Sequence, residues 1–233
     1  MVDEAAGDVV LGLAKKRRIR RLCHFTRLES LRLMIEDRCI KPSTEVGPDW
    51  VNDKDRYDGH LGHVCCSITY PNVYLLNQFA KDDLDAWCVL LLKCDLLGEP
   101  GVRFCPVNAA TANGQYVQGG ALGFMTLFEE EVRVGNRPRK RTPRQPASVP
   151  TDNQAEVLVP GRVSLTFLLE VVVASNAGLD RAGAALRRWP SFWGMPKPQV
   201  RLEERMFRPE VYWDLKLFSD PLPLPPVPFD EGT

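Results

Sequence analysis

The sequence predicts an α+β domain, and three observations carry that expectation. Apolar runs of strand length recur at residues 19–25, 63–69, 87–94, 155–159 and 165–175. Helical periodicity is confined to short segments such as residues 27–37 and 177–188. These segments do not alternate as regular βαβ units. No Gly-x-Gly-x-x-Gly follows the first strand and no P-loop occurs, so any dinucleotide bound here is not held by a Rossmann fingerprint.

The elements follow in order. Residues 19–25 alternate well enough for a first strand, and Thr26 with Glu29 three positions later has the form of a capping box. Leu28, Leu31, Met34 and Ile35 then repeat at helical spacing, giving an amphipathic helix over 27–37. Residues 43–62, rich in Gly, Asp, Asn and Pro, are expected as loop. Residues 63–69 are a second strand, and Pro71-Asn72 opens a short helix. The continuous apolar run 87–94 predicts a strand buried on both faces. Residues 107–123 are small and glycine-rich, with a helical turn expected around 124–131. Residues 135–153 are basic, proline-rich and almost devoid of apolar side chains, the composition of a mobile loop. A strand at 155–159 ends that loop abruptly. Residues 165–175 form a further strand, 177–188 a helix, and 201–216 a last strand or hairpin.

At 233 residues the chain fits one domain with appendages. The expected boundaries are a flexible lead-in over 1–18, the domain over 19–217, and an extended proline-rich tail over 218–233. Formal net charge is zero, so no global field points to nucleic acid. The charge is uneven, however, with basic clusters at 15–21 and 137–141. The seven cysteines are odd in number, contain no Cys-x-x-Cys and lie mostly in apolar runs. This pattern excludes a disulfide framework and places the chain in a reducing cytoplasm. The start lacks a signal-peptide pattern, and no apolar stretch approaches the ~20 residues of a membrane helix.

Three residues stand out chemically. Glu156 is a carboxylate inside an apolar strand directly after the basic loop, where it is held rigidly and partly desolvated. The ordinary alternative is a solvated strand-face residue. His24, in Cys23-His24-Phe25-Thr26, ends the first strand and is either structural or a ribose-hydroxyl partner. Arg56, in Asp55-Arg56-Tyr57-Asp58-Gly59, is either solvated or a fork for a pyrophosphate or carboxylate. His60, His63, Cys65 and Cys66 cluster in sequence but match no zinc signature, so no metal is expected. Ser67 lacks the Gly-x-Ser-x-Gly of an elbow hydrolase.

These blocks resemble the DarT-type ADP-ribosyltransferases, toxins that modify DNA bases. The likeness rests on the His24-Phe25-Thr26 strand end with the helix after it, and on Ile40-Lys41-Pro42-Ser43. It rests also on Arg56-Tyr57-Asp58-Gly59 followed by Ser67-Ile68-Thr69-Tyr70-Pro71-Asn72, and above all on Gln154-Ala155-Glu156-Val157-Leu158-Val159. It spans roughly residues 19–175. The Tyr-Asp-Gly and Tyr-Pro-Asn pieces are closer to the guanine-modifying branch than to the thymine-modifying one. The resemblance implies an ADP-ribosyltransferase-like split β-sheet core with short flanking helices.

It also implies a reaction in which ADP-ribose passes from NAD, consumed as substrate without a metal, to a base of single-stranded DNA, with RNA as the close rival. Glu156 and Arg56 then take the catalytic roles. His24, Thr26, Arg56 and either Tyr57 or Tyr70 hold the dinucleotide. Arg137, Arg139, Lys140, Arg141 and Arg144 contact nucleic-acid phosphates. A separately encoded macrodomain antitoxin is the implied partner. Two other readings stay open: protein modification or NAD hydrolysis on the same fold, and a non-enzymatic nucleic-acid-binding module.

Overall fold

A computed structural model describes residues 2–47, 59–81, 83–134, 138–190 and 194–217. In chain order the elements are α1 (Val2–Lys16), β1 (Arg21–Arg27), α2 (Ser30–Asp37), β2 (Cys39–Ile40), β3 (His63–Ile68), α3 (Val73–Ala80), β4 (Trp87–Lys93), β5 (Arg103–Cys105) and β6 (Gln118–Gly119). There follow α4 (Gly120–Thr126), β7 (Glu131–Val132), β8 (Arg139–Lys140), β9 (Glu156–Pro160), β10 (Val163–Ser164), β11 (Leu168–Val173), α5 (Asn176–Leu186), β12 (Gln199–Leu202) and α6 (Glu210–Leu217). The α+β expectation is met.

Eight strands form one sheet in the order β12-β11-β4-β1-β3-β9-β5-β6. All neighbours are antiparallel except β11 and β12. The run at 87–94 became β4 near the middle of the sheet, as its apolar continuity requires. Cys88, Leu90 and Leu92 enter one core cluster while Trp87, Val89 and Leu91 enter another on the opposite face. Helices α1, α2, α4 and α5 cover the first face, and α3 and the segment 206–212 the second.

The join between β1 and β3 is short. β1 pairs with β4 over seven positions, from Arg21↔Lys93 to Arg27↔Trp87. With β3 it pairs only at Leu22↔Ile68 and Cys23↔Ser67. Beyond Cys23 the two strands diverge, and this divergence is the split in the sheet.

Several expectations are corrected. The lead-in expected over 1–18 contains the helix α1, Val2–Lys16. Val10 and Ala14 of α1 are buried, and Gly7 meets the turn at 94–98 so closely that a Cβ there would lie 2.3 Å from the Gly98 carbonyl oxygen. The capping box does not form. Thr26 stays in β1, and α2 begins after Glu29, which makes no side-chain cap bond. The segment 201–216 is no hairpin: β12 runs parallel to β11, and α6 follows Pro209, a residue tolerated at a helix start because its missing N–H has no intrahelical partner there. The proline-rich tail over 218–233 lies outside the described residues.

The largest correction concerns the basic loop. Residues 138–153 are held mainly by polar contacts, with Val149 buried in the second core cluster. Arg141 reaches inward, and its Nη1 donates to the Val149 carbonyl at 2.7 Å while Nη2 donates to those of Gln145 and Pro146. Burial lowers its pKa. Gln145 Nε2 donates to the Pro150 carbonyl at 2.6 Å. Thr151 Oγ1 donates to the Glu129 carbonyl at 2.6 Å, and Thr69 Oγ1 to that of Ser148 at 2.7 Å. Composition predicts mobility where the polar groups face water; here they face each other.

Arg141→Ala is expected to destabilise the fold by about 1–3 kcal/mol, since it strands buried carbonyls. Urea unfolding of the variant beside the parent chain measures this. An unchanged midpoint would mean the loop orders itself without the clamp.

Candidate active site

The split opens a cleft lined by β1, β3, α2 and the start of β9. Its volume is about 1210 Å³ counted to the open mouth. His24, Thr26 and Glu156 all line it. The structure therefore brings together residues that lie 132 positions apart in sequence (156 minus 24).

Glu156 is the first residue of β9. Its backbone is fixed by pairing with Cys105 on β5, and only 8% of the residue is exposed. Oε1 accepts from Asn108 Nδ2 at 3.2 Å, and Oε2 from the Ala109 backbone N–H at 3.3 Å. Asn108 is itself locked, its Oδ1 accepting from the Ala110 N–H at 2.9 Å. The side chain also lines the cleft.

His24 lies where β1 leaves β3. Its Nδ1 donates to the Cys65 carbonyl at 2.8 Å, which bridges the gap where the backbone ladder stops. A carbonyl only accepts, so the proton sits on Nδ1 and Nε2 is left as an acceptor. Burial pushes the His24 pKa down, with the Cys65 bond opposing that shift in part. The ring is therefore neutral around pH 7.

Thr26 is 3% exposed and lines the cleft. Tyr70 does not. It is 2% exposed and packed in the core, with the Arg21 guanidinium 5.5 Å from its ring centroid, so no face is open for a nicotinamide to stack on. Arg56, Tyr57 and Arg137 lie outside the described residues. Among the expected phosphate contacts, Arg141 is committed to carbonyls within the loop. Arg139 pairs with Asp152 at 3.3 Å and Lys140 with Glu131 at 3.6 Å. Arg144 is exposed.

Two cleft residues escaped the sequence reading. Asn108 lay in a segment read only as small and glycine-rich; its signal was the Asn-Ala-Ala turn after a short strand. Asn72 caps α3, with Oδ1 accepting from the Leu75 N–H at 3.2 Å. Its Nδ2 is buried without an acceptor among the described residues, and the side chain lines the cleft, which makes it a spare donor for a ligand oxygen.

None of the seven cysteines forms a disulfide. Burial raises the thiol of Cys23 to about 12 and those of Cys66 and Cys88 higher still, so these three do not ionise near neutrality. Among the described residues no group of three metal-ligating side chains is placed to hold an ion, and no helix is long and apolar enough to cross a membrane.

The geometry can be set beside known proteins. No curated protein matches the sequence. The structure is similar to Thermus sp. 2.9 DarT in complex with NAD+, with a TM-score of 0.57, 12% identity, and coverage of 81% of this chain and 98% of that one. It is similar to the same Thermus sp. 2.9 protein in complex with ADP-ribosylated ssDNA, with a TM-score of 0.59, 12% identity, and coverage of 82% and 97%. Thermosipho africanus DarTG in complex with ADP-ribose aligns with a TM-score of 0.53 and 13% identity, over 81% of this chain and 51% of that one. The family described as ssDNA thymidine ADP-ribosyltransferase, DarT, matches residues 23–208. With its split sheet, its strand-borne glutamate and a family match over most of its length, this chain belongs to the DarT family of ADP-ribosyltransferases.

Proposed function

We propose that this protein transfers ADP-ribose from NAD to a base of single-stranded DNA, with Glu156 as the catalytic carboxylate. The observation that carries this reading is the Glu156 side chain at the wall of the cleft, fixed through Asn108 and Ala109, in the same cavity as a neutral His24. The relatives' complexes with NAD+ and with ADP-ribosylated ssDNA support it.

The reaction breaks the bond between nicotinamide nitrogen and ribose C1′. Nicotinamide departs as a neutral molecule and positive charge builds on the ribose. Glu156 stabilises that charge and accepts a bond from the 2′-hydroxyl that strengthens as the charge grows. A ring nitrogen of the acceptor base attacks C1′, and its proton passes to Glu156. His24 Nε2 accepts from a ribose hydroxyl, and Asn72 Nδ2 donates to a ligand oxygen. Arg56 takes the pyrophosphate and Tyr57 the nicotinamide ring.

The acceptor base is proposed to be thymine, because the family description names thymidine. Guanine is the second reading. It rested on Tyr-Asp-Gly and Tyr-Pro-Asn, but Tyr70 of the latter is a core residue. Oligonucleotides containing one or other base, incubated with NAD and weighed by mass spectrometry, separate the two. The toxin role and a macrodomain partner that removes the modification belong to the same reading; the relative named DarTG motivates it. Co-expression with an ADP-ribose-removing macrodomain should restore growth to cells that the protein arrests.

Glu156→Gln keeps the size of the side chain and removes its charge. It is expected to lower kcat by about 10²–10³-fold, measured as nicotinamide release in the presence of oligonucleotide. Full activity in this variant would end the assignment. Asn108→Ala is expected to lower kcat about tenfold or more while the KM for NAD moves little, because it loosens the aim of Glu156 rather than removing a ligand contact. A raised KM with unchanged kcat would instead make Asn108 a binding residue.

The His24 environment predicts a pH dependence. In the unfolded chain His24 protonates near ~6.5, while in the folded protein it does so at lower pH. Between those values the unfolded state binds more protons, so stability is intact above about pH 6.5 and declines as pH falls below it. Protonation also removes the Nε2 acceptor. Imidazole nitrogen shifts from NMR should show an Nδ1–H ring that protonates only below the ordinary histidine range, and a ring that titrates at or above that range would contradict the bond to Cys65.

A further inference from the structure

A second cleft lies beside the first. It is lined by Tyr74, Tyr212, Trp213, Arg139, Asp152, Asn153 and Gln154. Two chain segments are shared between the clefts. Along α3 and its cap, Asn72 and Leu75 line the first and Tyr74 the second. At the start of β9, Glu156 lines the first and Gln154 the second.

The rings of Tyr74 and Tyr212 are stacked, with centroids 5.9 Å apart and planes 8° apart. Tyr212 is 5% exposed and immobilised, its hydroxyl donating to the Pro71 carbonyl, with the Asn153 carbonyl also within bonding distance. Tyr74 is 42% exposed and Trp213 61%. Large aromatic rings left that open on a rigid support are unusual for a surface that serves only folding. Arg139 contributes a half-exposed cation held by buried Asp152, and Asn153 and Gln154 contribute amides.

We propose that this second cleft is a stacking platform for a nucleotide flanking the acceptor base in single-stranded DNA. The inference rests on the reading of single-stranded DNA as acceptor. Each element matches that occupant. Exposed rings accept any base by its π-face, a guanidinium lies where a phosphate would pass, and amides satisfy base edges. Continuity of the wall places a bound neighbour beside the catalytic carboxylate. A strand held in this way delivers its target base to Glu156 already unstacked, so the domain has no duplex to open.

The test measures binding of a dye-labelled single-stranded DNA oligonucleotide by fluorescence anisotropy, using the full chain. Trp213→Ala and Tyr74→Ala are each expected to raise Kd about 5- to 100-fold, while Trp213→Phe and Tyr74→Phe, which keep a ring, retain most of the affinity. The KM for NAD should be the same in all four variants. Equal DNA affinity in the alanine variants and the parent, or no binding by the parent, overturns the platform. So does tighter binding of an RNA of the same sequence. Adduct formation is scored separately by mass. A parent chain that binds through these rings but forms no adduct refutes the proposed activity and leaves the platform standing. Adducts formed with an unchanged KM for DNA in the alanine variants do the reverse.

Discussion

The place where β1 stops pairing with β3 is the constraint on which the rest depends. A continuous ladder from Cys23 onward would close the sheet and remove the cleft. After Cys23↔Ser67 the backbone pairing ends, and the imidazole of His24 takes the Cys65 carbonyl instead. One side chain thereby satisfies a buried acceptor that strand separation would otherwise leave unmet, a penalty of about 1–3 kcal/mol. The same bond fixes the tautomer that leaves Nε2 as an acceptor. Structural necessity and ligand chemistry thus converge on a single proton.

The opposite wall is built by a different device. β9 is flanked by β3 and β5; Glu156 itself pairs with Cys105 on the β5 side, and the pairing with β3 begins one residue later, at Val157. Its carboxylate is aimed by Asn108 and Ala109, which sit in a turn rather than in a strand. Directly after β3, Thr69 has a φ of 68°, a left-handed conformation that a β-branched residue adopts only under compulsion. Its Oγ1 donates to Ser148, its carbonyl accepts from Arg21, and its N–H donates to the Arg21 carbonyl. That triple hold turns the chain toward α3 and so delivers Asn72 to the cleft.

Legibility in the sequence followed the kind of force involved. Strands and helices driven by apolar periodicity were readable: β4 announced itself through residues 87–94, and α2 through Leu28, Leu31 and Ile35. Two residues of the candidate cleft were readable because each breaks an apolar pattern, Glu156 and His24. What could not be read was order created by polar groups bonding to one another. The segment 138–153 has the composition of a disordered loop, yet Arg141, Gln145 and Thr151 close it upon itself. Helix α1 was missed for another reason: its apolar residues, buried Val10 and Ala14 with partly buried Leu11 and Leu13, are bunched in its second half rather than repeated along it. Tyr70 shows the converse error: a tyrosine in a motif is not a tyrosine in a pocket.

The ordered loop also changes how nucleic acid would be held. A free basic loop would bind phosphates by releasing counterions, with affinity falling steeply as salt rises. Here Arg141 is consumed internally, Lys140 is in an ion pair, Arg17 lies over the Phe128 ring at 4.0 Å, and Arg139, half-exposed beside Asp152, is left as a single local cation. The chain carries 30 basic and 30 acidic residues, so no long-range field compensates for these losses. Affinity for a single strand must then come mainly from short-range contacts with bases, which only unpaired nucleotides offer. On this account the proposed preference for single-stranded DNA is a consequence of the charge balance as much as of the shape of the cleft.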